Sequence, residues 1–362
     1  MDGVGFSRRR LVSAAIGTAL AARIHSVMAQ PAPATATTAF GTFYQPWRPK
    51  DGEPPIDWHQ WMAELSATGV SRLILQWVSW ENDWVLVSKP GDADQSNADL
   101  LRSILNEAQA MGLSVWLGLD GSELWWCRIA KTKDAEVQKY LDRRLLDHRA
   151  VATALTAAAS HPAFGGWYLP DEIDDANWRS SSRTDMMGKY LQSLTAIVHQ
   201  VAPNAPIATS AFAWRSRITP ADWGKLLTQW FDAAPRLNEL LMQDGVGTQV
   251  NTVAEAQALQ AASDAAAAQR QRKCTPVIEF FEPDGVICKD PDNRTAELPR
   301  IRQQMTAALA AHREVVAFSV PEYAIHACDT ARAKALREWL QTTIKPRAQR
   351  HTVVRSPVFH RG

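Results

Sequence analysis

The chain has 362 residues, enough for two average domains or one large α/β barrel, and its 39 Lys and Arg against 38 Asp and Glu leave a formal net charge of +1, which gives no electrostatic footprint for nucleic acid. Hydrophobic residues at 46% and charged residues at 21% describe a globular chain with a sizeable core and exclude a disordered, collagen-like or coiled-coil one. The 15 Trp far outnumber the 5 Tyr, and flat amphipathic rings of this kind suit the faces of sugars.

The N-terminus reads as a targeting segment. Ser7-Arg8-Arg9-Arg10-Leu11-Val12 opens a short apolar run to Leu20, and Val27-Met28-Ala29 has a small-residue cleavage pattern, so residues 1–29 resemble a twin-arginine export signal. The run is too short to span a bilayer, so no stable membrane insertion is expected. Removing the segment takes away Asp2 and Arg8, Arg9, Arg10 and Arg23, which leaves a mildly acidic mature chain destined for the periplasm or the exterior. A Pro/Ala/Thr linker, 30–39, follows.

From residue 40 onward, short apolar runs alternate with longer segments of helical period. Strands are expected to begin near Phe40, Arg72, Ser114, Gly165, Ala205, Glu239, Thr275 and Val315, and helices over 56–68, 97–111, 135–160, 183–201, 220–233, 253–270, 294–312 and 331–343. The joints Thr68-Gly69-Val70 and Met111-Gly112-Leu113 end a helix on Gly and enter a strand at once, whereas the segments after the strands are long. Eight such units predict an α/β fold, a single (β/α)8 TIM barrel over 40–343, with its site on the long βα loops. A doubly wound sheet is the alternative, weakened by the lack of a Gly-rich turn after the first strand. Beyond Ile344 the tail, 344–362, carries Lys345, Arg347, Arg350, Arg355 and Arg361 without an acid.

The ends of the expected strands gather the polar chemistry: Tyr44-Gln45-Pro46-Trp47, Gln76-Trp77, Asp120, Asp171-Glu172, Ser210, Gln243-Asp244, Glu279 and Glu322-Tyr323. Cleaving a glycosidic bond requires one carboxylic acid to protonate the leaving oxygen and one carboxylate to act as nucleophile or base. Glutamates at opposite strand ends supply both. Trp47, Trp77, Trp80, Trp84, Trp125, Trp126, Trp178 and Trp214 fall at or after strand ends and are candidate sugar platforms, about half of them expected to pack loops instead. Trp58, Trp61, Trp223, Trp230 and Trp339 lie in helices and read as core anchors.

The stretches Gly41-Thr42-Phe43-Tyr44-Gln45, Ile74-Leu75-Gln76-Trp77, Trp167-Tyr168-Leu169-Pro170-Asp171-Glu172-Ile173-Asp174, Met242-Gln243-Asp244-Gly245-Val246-Gly247 and Val277-Ile278-Glu279-Phe280-Phe281-Glu282 resemble the glycosidase superfamily of (β/α)8 barrels. They resemble still more closely a glycosidase-like barrel family known only as a domain of unknown function, family 4434. The resemblance implies that Glu172 is the general acid/base and Glu279 the nucleophile, with Glu282 as a competitor for the second role. It departs from the superfamily in two places: Asp171 stands where Asn usually precedes the acid/base, and Gln243-Asp244 stands where a Tyr is often found. Tyr44, Gln45, Trp47, Gln76, Trp77, Asp120, Asp171, Ser210, Gln243, Asp244, Glu282 and Tyr323 are the expected substrate-binding residues.

Other chemistries fail on spacing. The His residues form no H-E-x-x-H pair, and there is no G-x-S-x-G elbow, P-loop or G-x-G-x-x-G, so neither cofactor nor metal is expected. The 4 Cys lack C-x-x-C spacing, with Cys274–Cys288 as a candidate disulfide. The expected function is an exported glycoside hydrolase acting on an envelope polysaccharide or exopolysaccharide by a two-glutamate, retaining mechanism. The alternatives are a non-catalytic carbohydrate-binding scaffold in polysaccharide export, favoured by Asp171, and a lyase or transglycosylase using the same acids.

Overall fold

Runs of apolar and β-branched residues form eight parallel strands: β1 (Ala39–Tyr44), β2 (Arg72–Leu75), β3 (Ser114–Gly118), β4 (Phe164–Asp174), β5 (Ile207–Phe212), β6 (Glu239–Gln243), β7 (Lys273–Glu279) and β8 (Glu314–Phe318). In the computed structural model, which describes residues 39–48, 55–89, 91–125, 129, 132–284, 293–327 and 329–344, each strand pairs with its sequence neighbours, and β8 closes on β1 from Ala39↔Glu314 to Thr42↔Ala317. Closure excludes the doubly wound alternative and makes the fold a single (β/α)8 barrel. The export signal, most of the linker, Trp126, Cys288 with its candidate disulfide, and the basic tail from residue 345 lie outside the described residues.

Eight long helices follow the strands among those residues: α1 (Trp58–Ala67), α2 (Ser96–Ala110), α3 (Asp134–Ala154), α4 (Ser181–Val201), α5 (Pro220–Ala233), α6 (Val253–Gln269), α7 (Leu298–Leu309) and α8 (Thr330–Thr343). Their starts follow capping chemistry. Thr219 caps α5 with Pro220 in its first turn, and Thr252 and Glu255 form a reciprocal capping box on α6. After α1 the chain turns at Gly69 with φ +83°, and a Cβ there would meet Ile344 at 2.5 Å. Glycine is therefore required on two counts. The helix expected over 294–312 starts only at Leu298, because Asn293–Thr295 pairs instead as a short antiparallel strand with Phe281–Pro283. The helix expected over 135–160 gives way after Ala154 to a 3-10 turn at Ala158–Ser160.

The barrel interior is layered by strand alternation. One apolar cluster takes a residue from every strand: Phe43, Ile74, Trp116, Tyr168, Ala208, Leu241, Val277 and Val316. Two residues earlier lies the floor, where Arg72 pairs with Glu239 (2.9 Å) and Glu314 (3.0 Å) and covers the Trp116 ring at 3.8 Å. Lys273 reaches the same two acids at 3.2 and 2.5 Å, and Thr275 donates to Glu239 at 2.6 Å. Two residues later lies the mouth.

Candidate active site

Continuing the alternation past the apolar layer brings Gln45, Gln76, Ser210, Gln243, Glu279 and Phe318 to the C-terminal end of the barrel. Strand β4 joins them by a different route. Leu169 pairs with Thr209 and Ile173 with Ala211, so four residues of β4 span the length of two on β5. The bulge contains Pro170, which cannot donate to the ladder, and it turns Asp171 outward and Glu172 inward.

Glu172 is buried and accepts from Gln76 Nε2 at 3.2 Å. Gln76 in turn accepts from Gln45 Nε2 at 2.7 Å, and the Gln45 backbone N–H donates to Glu322 at 3.1 Å. A polar belt thus runs from the β8 loop over β1 and β2 to β4. Glu279 is also buried and lies three strand positions from β4. Its Oε2 accepts from the Thr248 backbone N–H at 2.9 Å and from the Thr248 hydroxyl at 3.4 Å. Burial and the charge of Asp244 push the Glu279 carboxyl up to about 8, against the pull of Thr248 and Arg300. Burial pushes Asp244 itself up to about 6, although Val246 N–H donates to it at 3.1 Å and Gln304 at 2.6 Å. Burial acts on both carboxyls in the direction that favours a proton on the Glu279–Asp244 pair.

The other expected site residues divide by the direction they face. Gln45, Gln76 and Gln243 line the mouth, and Trp47, 52% exposed, packs on Trp77 and Trp80 with ring centroids 4.7 and 4.9 Å away. Trp77 itself is fully buried and supports this cluster from below. Ser210 is buried in hydrogen-bond contact with Tyr168 at 2.6 Å. Tyr44 points away from the interior, against Trp58 and Trp61 of α1. Tyr323 is buried against Phe281. Glu282 is held by Arg332 at 2.7 Å and Arg294 at 2.9 Å, whose charges keep its carboxyl low despite its partial burial. This ion pairing sets it apart from Glu279.

Asp171 and Asp120 turn toward the helices behind the barrel, not into the mouth. Arg144 of α3 clamps both, reaching Asp171 at 3.1 Å and also ion-pairing with Asp120. His148 Nε2 meets Asp171 at 2.6 Å, and the Asp120 backbone N–H donates to its Nδ1 at 3.4 Å. Tyr190 also donates to Asp171. Burial alone would raise the Asp171 carboxyl, but Arg144, His148 and Tyr190 outweigh it and hold it at about 2. Trp125 and Trp178 are buried in the same layer, and Trp125 Nε1 donates to the Glu172 backbone carbonyl at 2.9 Å.

Sequence reasoning missed the second ring of contacts. Thr248, Gln304, Arg300, Arg144 and His148 are invisible to motif spacing. A local signal exists at Gly245-Val246-Gly247-Thr248, where a Cβ on Gly247 would meet that of Glu279 at 2.6 Å. A loop that needs two glycines beside a strand-end carboxylate marks a close backbone approach. Among the described residues no group of three or more His, Cys, Asp and Glu is placed to hold a metal ion.

Fold and mouth together define a (β/α)8 barrel with two buried glutamates and an amide belt at the C-terminal end. The model of the family Domain of unknown function (DUF4434) matches residues 40–328, and the chain belongs to that family. It is also similar to Uncharacterized protein YbcH of Escherichia coli (strain K12), 28% identical over 224 residues, which are 60% of this chain and 70% of that protein. Among solved structures it resembles a Bacteroides thetaiotaomicron protein assigned as, rather than shown to be, an alpha-L-fucosidase (TM-score 0.67, 16% identity, 91% of this chain and 99% of the other). It also resembles a beta-galactosidase from the psychrophilic Marinomonas ef1 (TM-score 0.53, 11% identity, 84% of this chain and 59% of the other). At these identities the structural likenesses show the fold, a (β/α)8 barrel.

Proposed function

We propose that the protein is a glycoside hydrolase acting on a polysaccharide of the cell envelope or exterior, after export directed by residues 1–29. The observation that carries the reading is the pair of buried glutamates, Glu172 and Glu279, facing the mouth from strands on opposite sides of the barrel. The Gln45–Gln76 belt supplies donors and acceptors for hydroxyls, and Trp47 offers a ring face. In the double displacement, Glu279 attacks the anomeric carbon as the glycosidic C–O bond breaks and Glu172 protonates the leaving oxygen. Glu172 then takes a proton from water, which attacks the glycosyl ester and frees Glu279.

A second assignment of roles within the same reaction is favoured by the raised Glu279 carboxyl: a group that retains its proton near neutrality is suited to be the acid. Aryl glycosides separate the two. A variant lacking the acid still cleaves substrates with good leaving groups, whereas one lacking the nucleophile or base does not. The function is tested by incubating wild type, Glu172→Gln and Glu279→Gln with a panel of bacterial polysaccharides and aryl glycosides. From the polysaccharides, reducing ends are expected with wild type alone, and from the aryl glycosides product is also expected with the variant that lacks the acid. Binding without product by wild type would replace the hydrolase with the carbohydrate-binding scaffold.

A further inference from the structure

The two flanks of the mouth differ in charge. On the β1–β2 side, Trp47, Trp77 and Trp80 form a cluster whose neighbouring cation is neutralised, since Arg48 grips Asp83 with distances of 2.7–2.9 Å. On the β5 side, Phe212 continues the inward row of Ala208 and Ser210, Trp214 packs on it at 4.5 Å, and the Arg217 guanidinium lies over the Trp214 ring at 4.0 Å. Arg179, from the loop after β4, donates to the Arg217 carbonyl at 2.7 Å. Both arginines are exposed, and neither forms an ion pair among the described residues. By contrast, Arg183 of α4 faces Asp134, and Arg294 and, from α8, Arg332 face Glu282. Asp175, an acid that feels both guanidiniums, is buried and accepts from the Trp214 N–H at 3.0 Å. Its carboxyl is pushed up by burial against the pull of Arg217 and Arg179.

We propose that Arg179 and Arg217, beside Trp214, form a subsite for the negatively charged substituent of an anionic glycan, so that the polymer crosses the mouth with an acidic residue on the β5 side. A planar guanidinium stacked on an aromatic ring keeps its donor edge free for an oxyanion. The near-zero net charge of the whole chain conceals this local asymmetry.

The inference rests on the reading of the mouth as a glycan site, and binding tests it apart from turnover. Isothermal titration is run on wild type, Glu172→Gln and the double variant Arg179→Gln/Arg217→Gln. The ligands are 1,4-linked oligomers of glucuronate, galacturonate and mannuronate, each paired with its carboxyl-reduced form, and a sulfated oligosaccharide paired with its desulfated form. At least one acidic ligand is expected to bind wild type and Glu172→Gln about tenfold more tightly than its neutral partner, as a charge-assisted contact would give. That preference should shrink at high salt and vanish in the double variant, and the preferred pair identifies carboxylate or sulfate. Equal binding within every pair, a preference intact in the double variant, or no binding of any acidic ligand overturns the subsite. A preference without product in wild type sinks the hydrolase reading and keeps the subsite, while product from neutral and acidic ligands alike does the reverse.

Discussion

The floor and the mouth of the barrel each gather acids, and they treat them in opposite ways. At the floor, Glu239 and Glu314 face Arg72 and Lys273, so two acids meet two cations. Burial would raise Glu239, yet Arg72 and Lys273 hold it below the usual range. At the mouth, Glu279 is met by the Thr248 amide and hydroxyl, its near neighbour Asp244 is a second acid, and the carboxyl rises to about 8. Matched charge is what a fold requires, and mismatched charge near a cleft is what chemistry requires. The same strand type, four residues from floor to mouth on β7, therefore carries a structural end and a reactive end.

The largest expected effect breaks the comparison at the mouth. Glu172→Gln and Glu279→Gln should each lower turnover of a natural polysaccharide by roughly 10²–10⁴-fold or more while leaving the far-ultraviolet circular dichroism unchanged. Glu239→Gln, at the floor, should leave turnover per folded molecule near wild type. Equal losses from all three, measured as initial rates of reducing-end release, would mean that the mouth is not special.

That contrast was half legible in the sequence. The eight strands, the Pro170-Asp171-Glu172 break and the Glu279 strand end all stand out, because apolar runs that stop abruptly at acids mark the point where a buried strand becomes a loop. The direction each carboxyl faces was not legible. Asp171 and Glu172 are neighbours, and only the two-residue bulge of β4 sends one to Arg144 and the other to Gln76. Likewise Glu279 and Glu282 differ by three residues, and what separates them is a hairpin whose partner, Asn293–Thr295, brings Arg294 to Glu282. Such choices depend on contacts distant in sequence, which periodicity does not encode. The floor ion cluster was missed for the same reason: Arg72, Glu239, Lys273 and Glu314 open four separate strands.

A smaller effect tests the floor. Arg72→Met removes the buried cation that Glu239 and Glu314 share and leaves Lys273, half exposed, to serve them. Breaking a buried pair from one side costs about 3–5 kcal/mol, so urea unfolding should show a loss of that order. Adding Glu239→Gln to Arg72→Met should recover part of it. A loss below about 1 kcal/mol would mean that the floor pairing contributes no more than a surface salt bridge.

The pH dependence of stability should have opposite signs at the two ends. Unfolded Glu279 releases its proton near the usual glutamate value, while the folded form keeps it up to about 8. Between those values the folded state binds more protons, so the contribution of Glu279 is fully present at low pH and falls as pH rises, by at most about 1.4 kcal/mol per pH unit. Glu239 is held low in the folded state, so its contribution is present above the usual glutamate value and is lost as pH falls through the lowered one. Urea unfolding from about pH 2 to about pH 8 should therefore show Glu279→Gln gaining on wild type as pH rises above the usual glutamate value. The disadvantage of Glu239→Gln should shrink as pH falls. Parallel curves for the two variants would erase the distinction.

The smallest effect separates the aromatic residues of the two ends. Trp116, in the apolar layer next to the floor, has its face covered by the Arg72 guanidinium at 3.8 Å, so its ring is committed to the fold. Trp47 at the mouth touches Trp77 and Trp80 but leaves 52% of its surface to solvent. Trp47→Ala should therefore change the unfolding midpoint little, because most of the ring is not buried by folding. A ring that stacks on a sugar is worth about 1 kcal/mol, so the same variant should raise KM for an oligosaccharide by roughly fivefold with kcat nearly unchanged, the pattern of binding lost equally in ground and transition states. A stability loss with KM intact would place Trp47 with Trp116 as a packing residue.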